Sequence, residues 1–286
     1  MRMTVGALAA PLLAATIGIA AAQGNSCSAI MNNAERLACY DAAAKTSAAP
    51  VPMRTGGDDA PYSLRGFQLG ITLDDFRKVP YPDREKYPSG HAICTQDKEK
   101  KSLTYPSASQ SQLEPSGLFG RAGVVICRFY IYTRDMYAAH AELRKYAGTL
   151  TKKSANELTE GFLDFAGVGG QPTTFMFTPA TLAKEKATRL FSIRVGLNNK
   201  HFDEVVTALK AKYGEPSGKA TSLFKTMIGA QFENLTITWA NGTSTIIVEK
   251  YADTLDVMSV SFLHGAFLLE ANKAAEEAGK ALGGKL

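Results

Sequence analysis

The segment FSIRVGLNNKHFDEVVTALKAKYGEP, residues 191–216, limits the fold of this chain more than any other. Its first part reads as a short strand. Its second part carries apolar residues at helical spacing, namely Phe202, Val205, Val206, Leu209 and Tyr213. Asn198 or Asn199 can cap the helix, Gly214 suits the left-handed position that closes it, and Pro216 prevents its continuation. The segment therefore predicts a strand followed at once by an amphipathic helix.

The rest of the chain shows the same mixture of strand and helix patterns. Strands are predicted at 223–229 and 233–240, with Asn241-Gly242 as a hairpin turn before the next strand. A last strand at 256–263 leads to an Ala-rich helix at 266–282. Further elements are predicted upstream: strands at 64–69, 124–132, 162–168 and 173–179, and helices at 73–78 and 134–149. This mixture predicts an α+β fold.

Two parts of the chain can be aligned with each other. FQLGITLDDF at 67–76 and IRVGLNNKHF at 193–202 share a glycine (Gly70, Gly196) and, six positions later, a phenylalanine (Phe76, Phe202). We interpret the pattern as a tight glycine turn from strand to helix, with the phenylalanine packing back on the sheet. Only these two residue types are identical, so chance similarity is the alternative. We predict two helix-on-antiparallel-sheet units, 62–185 and 186–286, related by an internal duplication.

The N-terminus predicts export. One cation, Arg2, precedes an uncharged Ala-rich run that ends in small residues, which is typical of a secretory signal peptide cleaved after Ala22. A membrane anchor is the alternative, because the run approaches the length of about 20 residues that spans a bilayer. No other apolar run is long enough to do so. The net charge of +5 comes from mixed signs, unlike the clustered cations of nucleic-acid-binding proteins. We expect a periplasmic or secreted protein that has no membrane span after cleavage.

The four cysteines, Cys27, Cys39, Cys94 and Cys127, lie in the exported part, and in an oxidising compartment they predict disulfides. Of the three pairings, sequence proximity favours Cys27–Cys39 and Cys94–Cys127. Zinc is the competing interpretation, but the sequence has no C-x-x-C pair and its four histidines are scattered. We therefore predict no metal site and no cofactor.

The first cysteine pair constrains the local backbone. A straight helix would hold Cys27 and Cys39 about 18 Å apart, against the roughly 6 Å that a disulfide tolerates. The segment must bend, and Asn32-Asn33 is the best position for the bend. We predict a disulfide-clasped helical hairpin at 23–45, followed by a Pro- and Gly-rich linker at 46–61.

Two resemblances follow from these residues. The run from Cys27 through ERLACYD to Ala42 resembles the N-terminal motif of many exported proteobacterial proteins, including type VI secretion-associated VasI-like proteins. That resemblance implies an envelope location and a Cys27–Cys39 bond, and it transfers no activity.

The second resemblance concerns Gly196, Phe202 and the KYGEP run at 212–216, which are similar to the pattern of small α+β envelope modules. The beta-lactamase-inhibitor-like and outer-membrane assembly lipoprotein folds are similar in outline. In such modules KYG-x-P ends a helix, which implies a structural role for Tyr213, Gly214 and Pro216. The first unit departs from the pattern, since it has RKVP at 77–80.

A search for catalytic motifs finds no nucleophile elbow, zincin helix, P-loop or dinucleotide fingerprint. The stretch 167–172, GVGGQP, could cradle an anion but is more typical of a turn between strands. Asp74 and Asp75 could act as an acid/base pair, but their place in a first helical turn favours an interaction with the helix dipole. We predict a non-enzymatic envelope protein with no catalytic residue, whose partner is an envelope component. The alternative is a hydrolase of lipid or peptidoglycan whose site is assembled only by the fold.

Overall fold

The computed structural model describes residues 60–98, 103, 113–165, 168–169, 173–179, 187–226 and 228–283. The predictions for the signal peptide, the clasped hairpin with its Cys27–Cys39 bond, and the linker lie outside the described residues. So does most of the stretch 167–172.

The described elements include both helices and strands. In chain order they are β1 (Ser63–Leu64), β2 (Phe67–Gln68), α1 (Leu73–Phe76), β3 (His91–Cys94), α2 (Gly117–Ala122), β4 (Val125–Tyr132), α3 (Thr133–Ala139), α4 (Ala141–Arg144), α5 (Lys152–Ala155), β5 (Leu158–Glu160), β6 (Thr174–Phe177), β7 (Leu190–Asn198), α6 (Phe202–Tyr213), β8 (Gly218–Lys225), β9 (Gln231–Ala240), β10 (Ser244–Glu249), β11 (Val257–His264) and α7 (Gly265–Gly283). The predicted α+β class is confirmed.

One antiparallel sheet of nine strands organises these elements. Its order is β3-β4-β6-β7-β11-β10-β9-β8, and β5 pairs with β4 beside this path. A separate two-stranded hairpin, β1–β2, precedes α1. Because β6 pairs with β7, the sheet runs through the boundary that we predicted at residue 186. The two predicted units therefore share one sheet, while the duplication stays a prediction.

Helices pack on both faces of this sheet. The apolar stripe of α6 joins Ile193, Val195 and Leu197 of β7 in the main hydrophobic core, together with the β1–β2–α1 segment. Met176 lies between two core-facing phenylalanines of β6 and so points to the opposite face, where it contacts a cluster that includes Phe191 and Ala271 of α7. The middle of the sheet is thus covered on both sides.

The two aligned glycines occupy different backbone conformations. Gly70 lies in the turn between β2 and α1 with φ +87°, as the pattern predicts. Gly196 lies inside β7 opposite Ser259, so a tight turn at this position is wrong. Phe76 and Phe202 are both buried in the main core. The shared phenylalanines therefore pack alike, although the glycines before them do not.

Other local predictions were also corrected by the structure. The helix predicted at 134–149 is interrupted because His140 adopts an extended conformation between α3 and α4. Residues 162–165 do not form the predicted strand, and Phe165 forms an isolated bridge with Val168. The strand predicted at 223–229 is β8, which begins at Gly218 and ends at Lys225. Asn241 turns the β9–β10 hairpin with its side-chain oxygen, which accepts from the N–H groups of Thr243 and Ser244.

Candidate functional site

A buried disulfide joins the outermost pair of strands at one side of the sheet. Cys94 of β3 and Cys127 of β4 lie directly opposite each other, are fully buried, and are bonded. The predicted Cys94–Cys127 pairing is confirmed. Because a reactive thiol needs an exposed, electropositive setting, this burial indicates a structural bond.

A loop from Val79 to Gly90 connects α1 to β3 and packs over this cross-linked pair of strands. Its anchor is Tyr81, whose buried hydroxyl donates to the Phe162 carbonyl at 2.6 Å and whose ring contacts Phe129. Burial raises the pKa of Tyr81, so the hydroxyl stays a donor. At Gly90 a Cβ atom would lie 2.3 Å from the Tyr81 ring, so only glycine allows this close approach.

Two ion pairs stabilise this loop, one between the elements that flank it and one that reaches Asp83 within it. Asp97 accepts from the Cys94 backbone N–H at 2.8 Å and from the Arg77 guanidinium at 2.6 Å, which joins the end of α1 to the end of β3. On the other side, Arg65 donates to Asp83 at 2.9 Å and to the Asp164 carbonyl at 3.1 Å. Arg65 has φ 48°, an uncommon conformation for a residue with a side chain, in the tight turn of the β1–β2 hairpin.

These anchors leave a cationic pocket of about 370 Å³ between the loop, α1 and β3. Four basic side chains line it, and none of its lining residues carries a carboxylate: the four are Arg77, Lys78, Arg84 and His91. Val79, Pro80, Tyr81, Pro88, Gly90, Ala92 and Phe129 form the rest of the wall. The volume falls within the range of about 300–1,000 Å³ that is typical of small-molecule sites.

The four basic groups of the pocket differ in how far they are neutralised. Arg77 is paired with Asp97, and Lys78 with Asp75 at 2.7 Å. The Arg84 side chain makes no hydrogen bond or ion pair with any residue that the structure describes. His91 Nδ1 lies 2.7 Å from the Ser89 carbonyl, which only accepts, so Nδ1 carries a proton and Nε2 is left for other partners. Arg84 is therefore the cation best able to take an anion.

The same geometry argues against nucleophilic catalysis at this site. A serine nucleophile needs a base within hydrogen-bond reach of its hydroxyl. Here the His91 ring faces the Ser89 carbonyl, and the Ser89 hydroxyl accepts from the Tyr132 backbone N–H at 2.9 Å. Ser89 and His91 are close in space without forming a catalytic pair.

Asp74 and Asp75 lie on α1 beside the pocket and are explained by the helix itself. The Thr72 hydroxyl accepts from the Asp75 N–H and donates to its carboxylate. Hydrogen bonds from Lys78 and Thr72 lower the pKa of Asp75, which favours the charged form. Within the described residues, no group of three or more His, Cys, Asp or Glu side chains is placed to bind a metal ion.

The residues of the KYG-x-P pattern lie away from the pocket. Gly214, with φ +79°, follows α6, and its carbonyl accepts from the Trp239 indole at 2.9 Å. The Tyr213 hydroxyl donates to the Ser63 carbonyl, and Pro216 precedes β8. The KYG-x-P pattern therefore marks the turn between the end of α6 and the start of β8. It missed the pocket, whose available signal was the run of cations and prolines in RKVPYPDREKYPSGH at 77–91.

Comparison with protein-family models, curated proteins and solved structures finds no match to this chain. Among the helices in the described part of the chain, none combines the length and apolar character needed to cross a membrane.

Proposed function

We propose that this protein is a non-enzymatic binding protein of the bacterial envelope, periplasmic or secreted, and that it holds an anionic group of an envelope component in the cationic pocket. The observation that carries the proposal is the pocket wall, which presents Arg84 without a partner among the described residues and contains no carboxylate. Phosphate fits such a site, since arginine donates to its oxygens in a bidentate manner, as it also does to a carboxylate.

The frame around the pocket favours binding by a preformed site. The Cys94–Cys127 bond, the Tyr81 anchor and the Arg77–Asp97 pair fix the walls through contacts between separate parts of the sequence. A preorganised site loses less conformational entropy when its ligand binds. The disulfide also supports export, because such bonds persist in oxidising compartments. The hydrolase alternative has less support, since within the described residues the Ser89 hydroxyl is hydrogen-bonded to the Tyr132 N–H and to no histidine or carboxylate.

The test is calorimetric titration of residues 23–286 with inorganic phosphate at low ionic strength. Arg84→Ala removes a charged donor from the pocket, and Lys86→Ala removes a cation of the same loop that does not line it. A hydrogen bond to a charged group contributes about 1.5–3 kcal/mol, so R84A should weaken phosphate binding at least tenfold, roughly. K86A should change it less than about twofold.

Vesicles identify the source of the anion. Cosedimentation with phosphatidylglycerol vesicles, compared with phosphatidylcholine vesicles, separates a lipid headgroup from a free phosphate. Equal losses in R84A and K86A, or no saturable heat with phosphate in the wild type, would refute the pocket as the binding site.

A further inference from the structure

Strand β8 forms an open edge at the end of the sheet opposite the disulfide. Its eight residues pair on one side with β9 and with no other described strand. All of them are exposed or half-buried, and Leu223 at the centre is 63% exposed. The strand contains no proline and pairs with β9 in one register from Gly218 to Lys225. It therefore lacks two of the devices that usually prevent an edge from pairing with another chain.

The ladder geometry shows which backbone groups are open. The Thr226 N–H donates to the Ala230 carbonyl, so these residues form a hydrogen-bonded pair at the end of the hairpin. Bonded and non-bonded pairs alternate along an antiparallel ladder. The backbone N–H and C=O groups that point toward β9 therefore belong to Gly218, Ala220, Ser222 and Phe224. The outward N–H and C=O groups belong to Lys219, Thr221, Leu223 and Lys225.

The side chains of the same four residues share one face, because side chains alternate along a strand. Two lysines, Lys219 and Lys225, flank Thr221 and the exposed Leu223. Neither lysine forms an ion pair with a described residue. At about 3.4 Å per residue the two lysines are about 20 Å apart along the strand. The edge thus offers open backbone groups between two cations.

We propose that β8 accepts an extended segment of a partner protein, which adds a strand to the sheet and carries acidic side chains six positions apart with apolar residues between them. Main-chain hydrogen bonds would supply affinity, and the lysines and Leu223 would supply selectivity. The inference is independent of the cationic pocket, because no pocket-lining residue belongs to β8.

Charge argues against a second copy of this chain as the partner. Two copies of β8 could pair antiparallel along their length, with the outward N–H and C=O groups of one strand facing those of the other. Such a pairing is symmetric about Ser222. That register places each Lys219 opposite Lys225 of the other copy. Like charges directly opposite each other destabilise a strand pair. An acidic segment satisfies the same edge without this repulsion.

The test uses two synthetic peptides, acetyl-Glu-Thr-Val-Thr-Val-Thr-Glu-amide and its counterpart with lysine at both ends. Their binding to residues 23–286 is measured by isothermal titration calorimetry. The wild type should bind the Glu-ended peptide at least tenfold more tightly than the Lys-ended one. The double variant Lys219→Glu, Lys225→Glu should reverse that preference. Equal binding of both peptides by the wild type would overturn the proposal.

A backbone variant separates strand addition from simple charge attraction. Thr221→Pro deletes an outward N–H while leaving the bonds to β9 in place, and Thr221→Val keeps that N–H. T221P should abolish peptide binding and T221V should preserve it, with matching thermal unfolding as the control for the fold. Unchanged binding by T221P would refute strand addition. If T221P does not fold, the charge reversal still tests the proposal.

Two further measurements distinguish this inference from its alternatives. Sedimentation equilibrium should show a monomer. A dimer that dissociates in the T221P variant would overturn the proposal of an acidic partner, because it would show that β8 pairs with a second copy of this chain. The pocket variant R84A should bind the Glu-ended peptide like the wild type. A loss of peptide binding in R84A would contradict the independence of the two sites.

Discussion

The sheet ends differently at its two edges. At one edge β3 has four residues, is covalently bonded to β4, and lies beside the loop that forms the cationic pocket. At the other edge β8 has eight residues, mostly exposed, and pairs with β9 alone among the described strands. One edge is thus short and cross-linked, and the other is long and open. Within one sheet, the first suits a preformed pocket and the second suits the addition of a strand.

The largest contrast between the two ends should come from their aromatic residues. Phe76 is fully buried among Phe67, Phe129 and Phe175, with ring centroids 4.9–5.9 Å from its own. Phe76→Ala should lower the free energy of unfolding by about 3–5 kcal/mol. The matched change Phe232→Ala, at a position 39% exposed in β9, should cost far less. Urea denaturation measures both, and equal losses would show that the two ends are packed alike.

Removal of the disulfide should have the next largest effect. The bond closes a loop with a sequence separation of 33 residues, so the double change Cys94→Ala, Cys127→Ala should cost about 3–4 kcal/mol of unfolding free energy. Reduction of the wild type breaks this bond and also the predicted Cys27–Cys39 bond, so it should lower the unfolding free energy by at least as much. A double alanine variant as stable as the oxidised wild type would mean that packing alone holds the β3 edge.

The stability of the protein should depend on pH through His264, which ends β11 in the middle of the sheet. Burial lowers the pKa of His264, which stacks on Phe267 with ring centroids 4.2 Å apart and lies near Arg189 and Glu270. The folded state therefore takes up a proton less readily than the unfolded state. The stability contributed by the neutral ring is complete above about pH 6.5 and is lost as the pH falls through the lowered value.

The check compares urea midpoints of the wild type and His264→Gln at pH 7.5 and pH 5.5. The wild type should lose more stability than the variant between these two values. A larger loss in the variant would reverse the sign and contradict the assignment.

The smallest effect is expected at the open edge. Leu223→Thr replaces a residue that is 63% exposed by one with good strand propensity, so it should change the unfolding free energy by less than about 0.5 kcal/mol. Thermal unfolding checks this expectation. A loss above about 1 kcal/mol would show that Leu223 packs against part of this protein, and it would weaken the inference that the edge is open.

Sequence patterns predicted the helices and strands that are determined by interactions between residues close in sequence. The apolar stripe from Phe202 to Tyr213 defines α6 because it repeats over three helical turns. Gly196 misled the prediction because one glycine fits either a turn or a strand, and pairing with Ser259 of β11 decided for the strand. The Cys94–Cys127 bond was predictable from the sequence proximity of the two cysteines, although the strand that carries Cys94 was not predicted.

The pocket could not be predicted because it is formed by contacts between residues far apart in sequence. Arg77 follows α1, Arg84 lies in the aperiodic loop and His91 begins β3, and nothing in their spacing shows that they meet. Their convergence depends on the Tyr81 bond to Phe162 and on the Arg65 bond to Asp164, which connect residues 81 and 99 positions apart. A run of cations and prolines is the only local trace of these contacts.

The central place of β7 has a consequence for the order of folding. β7 pairs with β6, which precedes it, and with β11, which comes about sixty residues later. A chain that emerges with its N-terminus first cannot close this ladder until Leu263, the partner of Ser192, has appeared, and only α7 follows β11 among the described elements. The sheet is therefore completed only after β11 has joined β7, and until then the apolar residues of β7 lack one of their two neighbouring strands.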